Sequence, residues 1–430
     1  MADERIGDRI RRYREANGLT QTALATLIGV PQSRVSDWEK HKHIPEPPNI
    51  LALSAALRIL PTSLTTDEYT RQWMAPVFKG NPKPLKLGST TVENIFVIVG
   101  DGREPLELTV KYSHEPLYLH PKIRAIYPQL AAMVKERALS SGAAFWDGPI
   151  VRLIRITESG SHQHSGGFEQ RGIELELAPV SWTQFSVLNM VLDEPGFFGS
   201  NPLLTIRDAL VDESLLYSFP TDFSWCALSN MLTICMMPVT SDGYGFVQRR
   251  SGSVSAAPRK LISGVSENMH RWLDEAPAHN LWNRVHPLVP ASKLPGKVDA
   301  EYRPANGNVP SPFLTVQRGF QEELAPLRPL MEAAATRVKF LSVVVDMSLF
   351  QPVLVGVIDV PYEVRELENL VKENRGKDHS EWTELIPVKL SRSDAETVRM
   401  VSNIRAWDLG GLAALMTSIR YAEAIGAGRT

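Results

Sequence analysis

Two short stretches of the chain hold polar side chains at spacings that suit chemistry. In the first, Gln32, Ser33, Arg34 and Asp37 follow Pro31 in a segment whose apolar residues are Val35 and Trp38. A helix from Pro31 to about Lys40 would bury those two and turn the four polar groups outward. A helix that offers short polar side chains from its first turn can reach base edges in a DNA major groove. Gln32 can pair bidentately with adenine, and Arg34 with guanine or a phosphate. In the second stretch, Arg318, Glu322 and Glu323 lie near the end of a predicted helix over Pro312–Leu324. There Arg318 can pair with Glu322 at i, i+4 on a solvated acidic turn.

The elements around the first stretch are legible from local signals. Ile6, Ile10 and Tyr13 share one face of a helix over Arg5–Ala16, and Asn17-Gly18 supplies its left-handed stop. Thr20 is a natural N-cap for a second helix over Gln21–Ile28, with Ala23, Leu24 and Leu27 expected to face inward. Gly29 makes the tight turn into the third helix. A fourth, over Pro48–Leu60, is expected to pack Leu51, Leu53 and Leu57 behind the others.

The run LTQTALATLIGVPQSRVSDWEK resembles the helix-turn-helix family of the phage repressors, the Cro/C1 or XRE type, over about 55 residues. The shared features are the Gln opening helix two, the small Ala25, the turn at Gly29, the outward Gln-Ser-Arg and the Trp-Glu pair. The resemblance implies a sequence-specific transcriptional regulator whose partner is double-stranded DNA. It implies a phosphate contact for Gln21, where helix N-terminal N–H groups also favour an anion. Arg12, Lys40 and Lys42 are further candidates for phosphate. Such domains read two half-sites, so a homodimer is expected, although no coiled-coil heptad shows how it would form.

From about residue 91 the texture changes to short β-like runs such as NIFVIVG and LELTVKY, with a helix expected over Pro128–Ser140. Near Ser224 it changes again. Two apolar runs flank Ser241-Asp242-Gly243, a hairpin signal. The sequence therefore predicts a multidomain chain, an all-α helix-turn-helix head followed by an α+β body. The expected parts are residues 1–62 (head), 63–90 (linker), 91–223 (extension), 224–390 (second body domain) and 391–430 (C-terminal helices).

Arg318-Gly319-Phe320-Gln321-Glu322-Glu323-Leu324 is similar to the end of a Nudix box, whose core is R-E-hydrophobic-x-E-E. The order of hairpin, irregular connection, Glu-bearing helix and two strands matches, so residues 224–390 are expected to form a degenerate Nudix-like mixed-sheet fold. In that family three carboxylates on one helix converge on Mg²⁺, which neutralises a pyrophosphate and activates water. Here Gly319 replaces the first, leaving Glu322 and Glu323 as residual catalytic or metal-ligand candidates. The resemblance thus implies a fold that senses a nucleotide-type ligand or mediates dimerisation after its metal chemistry is lost. The alternative is a metal-dependent hydrolase of nucleoside-diphosphate derivatives carrying a DNA-binding head.

Bulk properties narrow the field. The 430 residues exceed one ordinary core. A net charge of −2 excludes a polybasic protein but not a locally basic reading head. The start MADERIGDRI lacks the apolar run of a signal peptide, and no stretch reaches the roughly 20 apolar residues of a membrane span. The two cysteines, Cys226 and Cys235, sit in apolar sequence and read as buried, reduced thiols of a cytoplasmic protein. His162 and His164 have no third ligand nearby and read as a loop. His41 and His43 read as a solvated turn.

Overall fold

The computed structural model describes residues 5–45, 47–57, 64, 83–114, 116–117, 119, 121–140, 148–163, 169–198, 205–211, 223, 228–252, 259–271, 275–277, 286–287, 308–324, 337–373 and 382–427.

The head consists of α1 (Ile6–Ala16), α2 (Gln21–Leu27), α3 (Gln32–Glu39) and α4 (Pro47–Leu57). Helix α1 stops as its sequence predicts. Gly18 takes φ 66°, and Leu19 N–H donates to the Arg14 carbonyl at 3.0 Å, closing the left-handed cap. Ile6, Ile10, Leu24, Ala25, Val35, Trp38, Ile50, Leu53 and Leu57 form one buried cluster. Leu27 departs from expectation, being 41% exposed. Leu24, Ala25 and the half-buried Ile28 set the inward face of α2, and Leu27 falls a quarter-turn outside it. Residues 58–60 of the expected fourth helix, and the side chain of Leu51, lie outside the described residues.

The body's strands are β1 (Lys83–Leu87), β2 (Thr90–Val99), β3 (Glu107–Tyr112), β4 (Pro149–Gln163), β5 (Glu169–Ser181), β6 (Thr233–Val239), β7 (Tyr244–Arg250), β8 (Leu261–Ser263), β9 (Val265–Asn268), β10 (Glu275–Pro277), β11 (His286–Pro287), β12 (Asn308–Pro310), β13 (Arg337–Asp346), β14 (Gln351–Asp359) and β15 (Trp382–Lys389). Its helices are α5 (Pro121–Ser140), α6 (Trp182–Leu188), α7 (Ile206–Val211), α8 (Pro312–Glu323), α9 (Val364–Glu373), α10 (Ala395–Ser402) and α11 (Leu409–Ala427). Helix α5 begins seven residues before its predicted start, at a proline suited to a first turn, and carries Pro128 inside it. No described helix is long and apolar enough to cross a membrane.

The large sheet is mixed, in the order β1-β2-β13-β14-β6-β7-β15, with β8, β9 and β11 paired alongside β7, β6 and β13. Strands β3, β5 and β4 make a separate small sheet. The stretch read as a linker therefore contributes β1. The large sheet also draws on both sides of residue 224, where the sequence suggested a boundary. Local texture misled because β2 pairs with β13, more than 200 residues away in the chain.

Strand β14 is buried on both faces and reads as a continuous apolar run. Its Leu354 and Ile358 join the core that also holds the small sheet and Phe313, Val316 and Phe320 of α8. Val353, Val355 and Val357 join the opposite core, with Leu412, Leu415 and Met416 of α11. Helix α11 lies close: a Cβ at Gly411 would meet the Ile262 Cα at 2.6 Å. The predicted Asp-Gly turn joins β6 to β7 with Gly243 at φ 82°.

Cys235 is buried and free, its thiol pushed up to about 12 by burial and by nearby Asp408. Cys226 lies outside the described residues. Burial likewise pushes the Asp346 carboxyl up to about 6, against hydrogen bonds from Ser348.

Candidate nucleic-acid interface

Helix α2 begins where Thr20 Oγ1 accepts from Ala23 N–H at 3.0 Å. Gly29 at φ 70° then turns the chain, and Val30 N–H closes on the Ala25 carbonyl at 3.0 Å. The turn sends α3 out with Val35 and Trp38 buried and Gln32, Ser33 and Arg34 exposed. Asp37 is half-buried and pairs with Lys42 at 3.3 Å, while Lys40 is exposed. Arg12 is exposed on α1, its guanidinium 4.7 Å from the Tyr13 ring centroid.

Behind this surface lies a buried polar relay. Glu39 is 1% exposed, and its carboxylate accepts from Arg14 Nε at 2.6 Å and Nη2 at 3.0 Å. Gln21 Nε2 donates to the same carboxylate at 2.9 Å. Gln21 Oε1 then accepts from Gln32 Nε2 at 2.7 Å. Arg11 donates to the Glu39 carbonyl at 2.9 Å. Burial alone would raise the Glu39 carboxyl, but the hydrogen bonds from Arg14 and Gln21 and the two guanidinium charges outweigh it. They hold Glu39 below the ordinary carboxylate range. Gln21, assigned by resemblance to a phosphate, is thus also the link between the buried pair and the outward Gln32.

Sequence reasoning missed this relay, although a signal was present. Arg14 continues the Ile6, Ile10 spacing, and Glu39 follows the buried Trp38. A charge at a core position requires a partner, and there were two. Also missed was the close approach of α1 to α3, where a Cβ at Gly7 would meet the Trp38 carbonyl oxygen at 2.2 Å. His41 ends α3 at φ 58°, with its ring Nε2 3.2 Å from Asp8 Oδ1.

The second candidate cluster has a different character. Glu322 is exposed, and its carboxylate lies 3.4 Å from Arg318 Nη1. Glu323 is buried, and its Oε2 accepts from Ser266 N–H at 3.0 Å. At Gly319, where a third carboxylate would begin, a Cβ would meet the Glu267 Cγ at 2.3 Å. Among the described residues no group of three or more His, Cys, Asp or Glu is placed to hold a metal ion. The carboxylates turn to separate partners, so the donors present do not fit Mg²⁺ held by convergent side chains on this helix. His162 falls in β4, and His164 lies outside the described residues.

Residues 10–64 match the helix-turn-helix family HTH_3. The repressor protein C2 of Salmonella phage P22 is 31% identical over 83 residues, 19% of this chain and 38% of that protein. The HTH-type transcriptional regulator DicA of Escherichia coli K12 is 35% identical over 85 residues, 19% of this chain and 63% of that protein. The crystal structure of the P22 c2 repressor with a synthetic operator is 37% identical, covering 14% of this chain and 94% of that one, with a TM-score of 0.14. The aligned stretch thus spans less than two thirds of either full-length relative. The N-terminal domain is a helix-turn-helix domain of the Cro/C1 type.

Proposed function

We propose that this chain is a sequence-specific transcriptional regulator that sets α3 into the major groove of double-stranded DNA. The observation that carries the reading is the relay from the buried Arg14–Glu39 pair through Gln21 to Gln32, which fixes an exposed side chain of the reading helix. A glutamine held in this way meets an adenine edge with little rotamer freedom left to lose. Arg34 supplies a guanine or phosphate contact, and Ser33 and Asp37 border it. Arg12, Lys40 and Lys42 face phosphates. The P22 relative is named a repressor and its c2 protein has been crystallised with a synthetic operator, which supports the same partner here.

The reading extends to a homodimer on paired half-sites, with the protein in the cytoplasm beside its DNA. The body then serves dimerisation or the sensing of a nucleotide-type ligand. The hairpin β6–β7, the helix α8 packed on β9 and the following pair β13–β14 keep the order of a Nudix-like fold and support that reading. Selection of bound sequences from random DNA with the full chain tests the core of the proposal. Enrichment of a paired motif, lost with Arg34→Ala, is the expected result. Retention of all sequences alike refutes it. Light scattering with and without the selected duplex tests the dimer.

A further inference from the structure

Strand β9 pairs with β6 through the register Thr233↔Asn268, Ile234↔Glu267, Cys235↔Ser266 and Met236↔Val265. Backbone groups alternate along a strand, and the Met269 N–H donates to the Leu232 carbonyl at 3.3 Å. The odd-numbered residues therefore address β6, and Ser266 and Asn268 point their backbone groups the other way. An unfilled strand edge of this kind offers a bare N–H and a bare C=O. Here both meet side chains of α8. Glu323 accepts from Ser266 N–H at 3.0 Å, and Arg318 Nη2 donates to the Asn268 carbonyl at 2.9 Å. Arg318 Nη1 holds Glu267 at 2.8 Å, and the Glu267 methylenes fill the space over Gly319.

We infer that the end of α8 is an edge latch. Among the described residues no strand pairs with this flank of β9, and Glu323 and Arg318 satisfy its backbone instead, so these groups are committed to the fold rather than to a divalent cation. Gly319 belongs to the latch, because any side chain there displaces Glu267. This assignment concerns the body alone and does not depend on the DNA-binding reading.

Four variants of the full chain test it. In Glu323→Ala the Ser266 N–H loses its acceptor. Hydrogen exchange at that amide should rise at least about tenfold, and the body's unfolding midpoint should fall by about 2–8 °C. Glu323→Gln, which keeps an acceptor oxygen, should restore most of both, and it answers the question even if the alanine variant does not fold. Gly319→Glu, which would complete three carboxylates, should lower the midpoint and create no saturable Mn²⁺ binding by calorimetry. The latch is overturned if the Ser266 amide is indifferent to Glu323→Ala. It is overturned equally if the wild-type chain binds one Mn²⁺ that Glu322→Gln or Glu323→Gln abolishes, or if Gly319→Glu gains such a site without loss of stability.

Discussion

Head and body each engage an arginine with glutamates, and the two arrangements lead to different places. In the head, Arg14 and Glu39 lie in the core, and their hydrogen bonds run outward through Gln21 to the exposed Gln32. In the body, Arg318 holds Glu267, and with Glu323 it runs inward to the backbone of β9. A buried pair that ends on a solvent-facing side chain has something to position. One that ends on the main chain closes an edge. The same residue types thus support an exposed helix face in one region and the integrity of a sheet in the other, and only their connections tell them apart.

The sharpest way to break the comparison is to remove Glu39. Glu39→Ala leaves Arg14 buried without its carboxylate and should cost the head about 3–5 kcal/mol. Peptide-resolved hydrogen exchange under denaturant should show α3 opening early while β13 and β14 stay protected. A cost below about 1 kcal/mol would reduce the pair to a passive contact.

Acid should separate the regions next. The folded Glu39 carboxyl lies below its unfolded value, so its contribution is present above that unfolded value and lost as pH falls through the folded one. Asp346 runs the other way. At about 6 in the folded protein, it favours folding below its unfolded value, and that benefit fades as pH rises through about 6. Burial also raises the carboxyls of Asp208 and Asp408. Lowering pH from neutral to about 5 should therefore steady the body, and stronger acid should release the head first. Unfolding midpoints read separately for α3 and β13 would show whether the order is reversed.

Smaller effects refine the contrast. Arg34→Ala should weaken selected-site binding by about 1–3 kcal/mol while leaving the head's stability unchanged. A double-mutant cycle of Gln21→Ala and Gln32→Ala, read in operator affinity, should give a coupling of about 0.5–1.5 kcal/mol. Additive losses would mean that the relay does not position Gln32. Least of all, Glu322→Gln should change the body's stability by no more than about 0.5 kcal/mol, because Glu322 stands in solvent.

The head was legible in the sequence nearly residue by residue because its signals are local. The Asn17-Gly18 stop, the Thr20 cap, the Gly29 turn and the spacing of Val35 and Trp38 each act within a few residues. What escaped was held by contacts across the domain. Gly7 against Trp38 and Arg14 against Glu39 join α1 to α3, and no window of sequence contains both partners. In the body, the hairpin at Asp242-Gly243, the extent of α8 and the presence of two strands after it could be read for the same local reason. The pairing of β2 with β13 could not. Nor could the fate of Glu323, because a spacing identifies which groups are neighbours on a helix and leaves open what stands opposite them.

The place of β1 and β2 in the large sheet has a practical consequence for anyone who wishes to sever the reading head from the rest. A cut at residue 91, where the β-like texture begins, would discard β1 and leave β2 starting one residue inside its own span. The exposed flank of β2 would then present unpaired backbone to other molecules and invite self-association. A fragment intended to behave as the free body should begin no later than Lys83, so that β1 stays in place, and the monodispersity of the two fragments would show the difference directly.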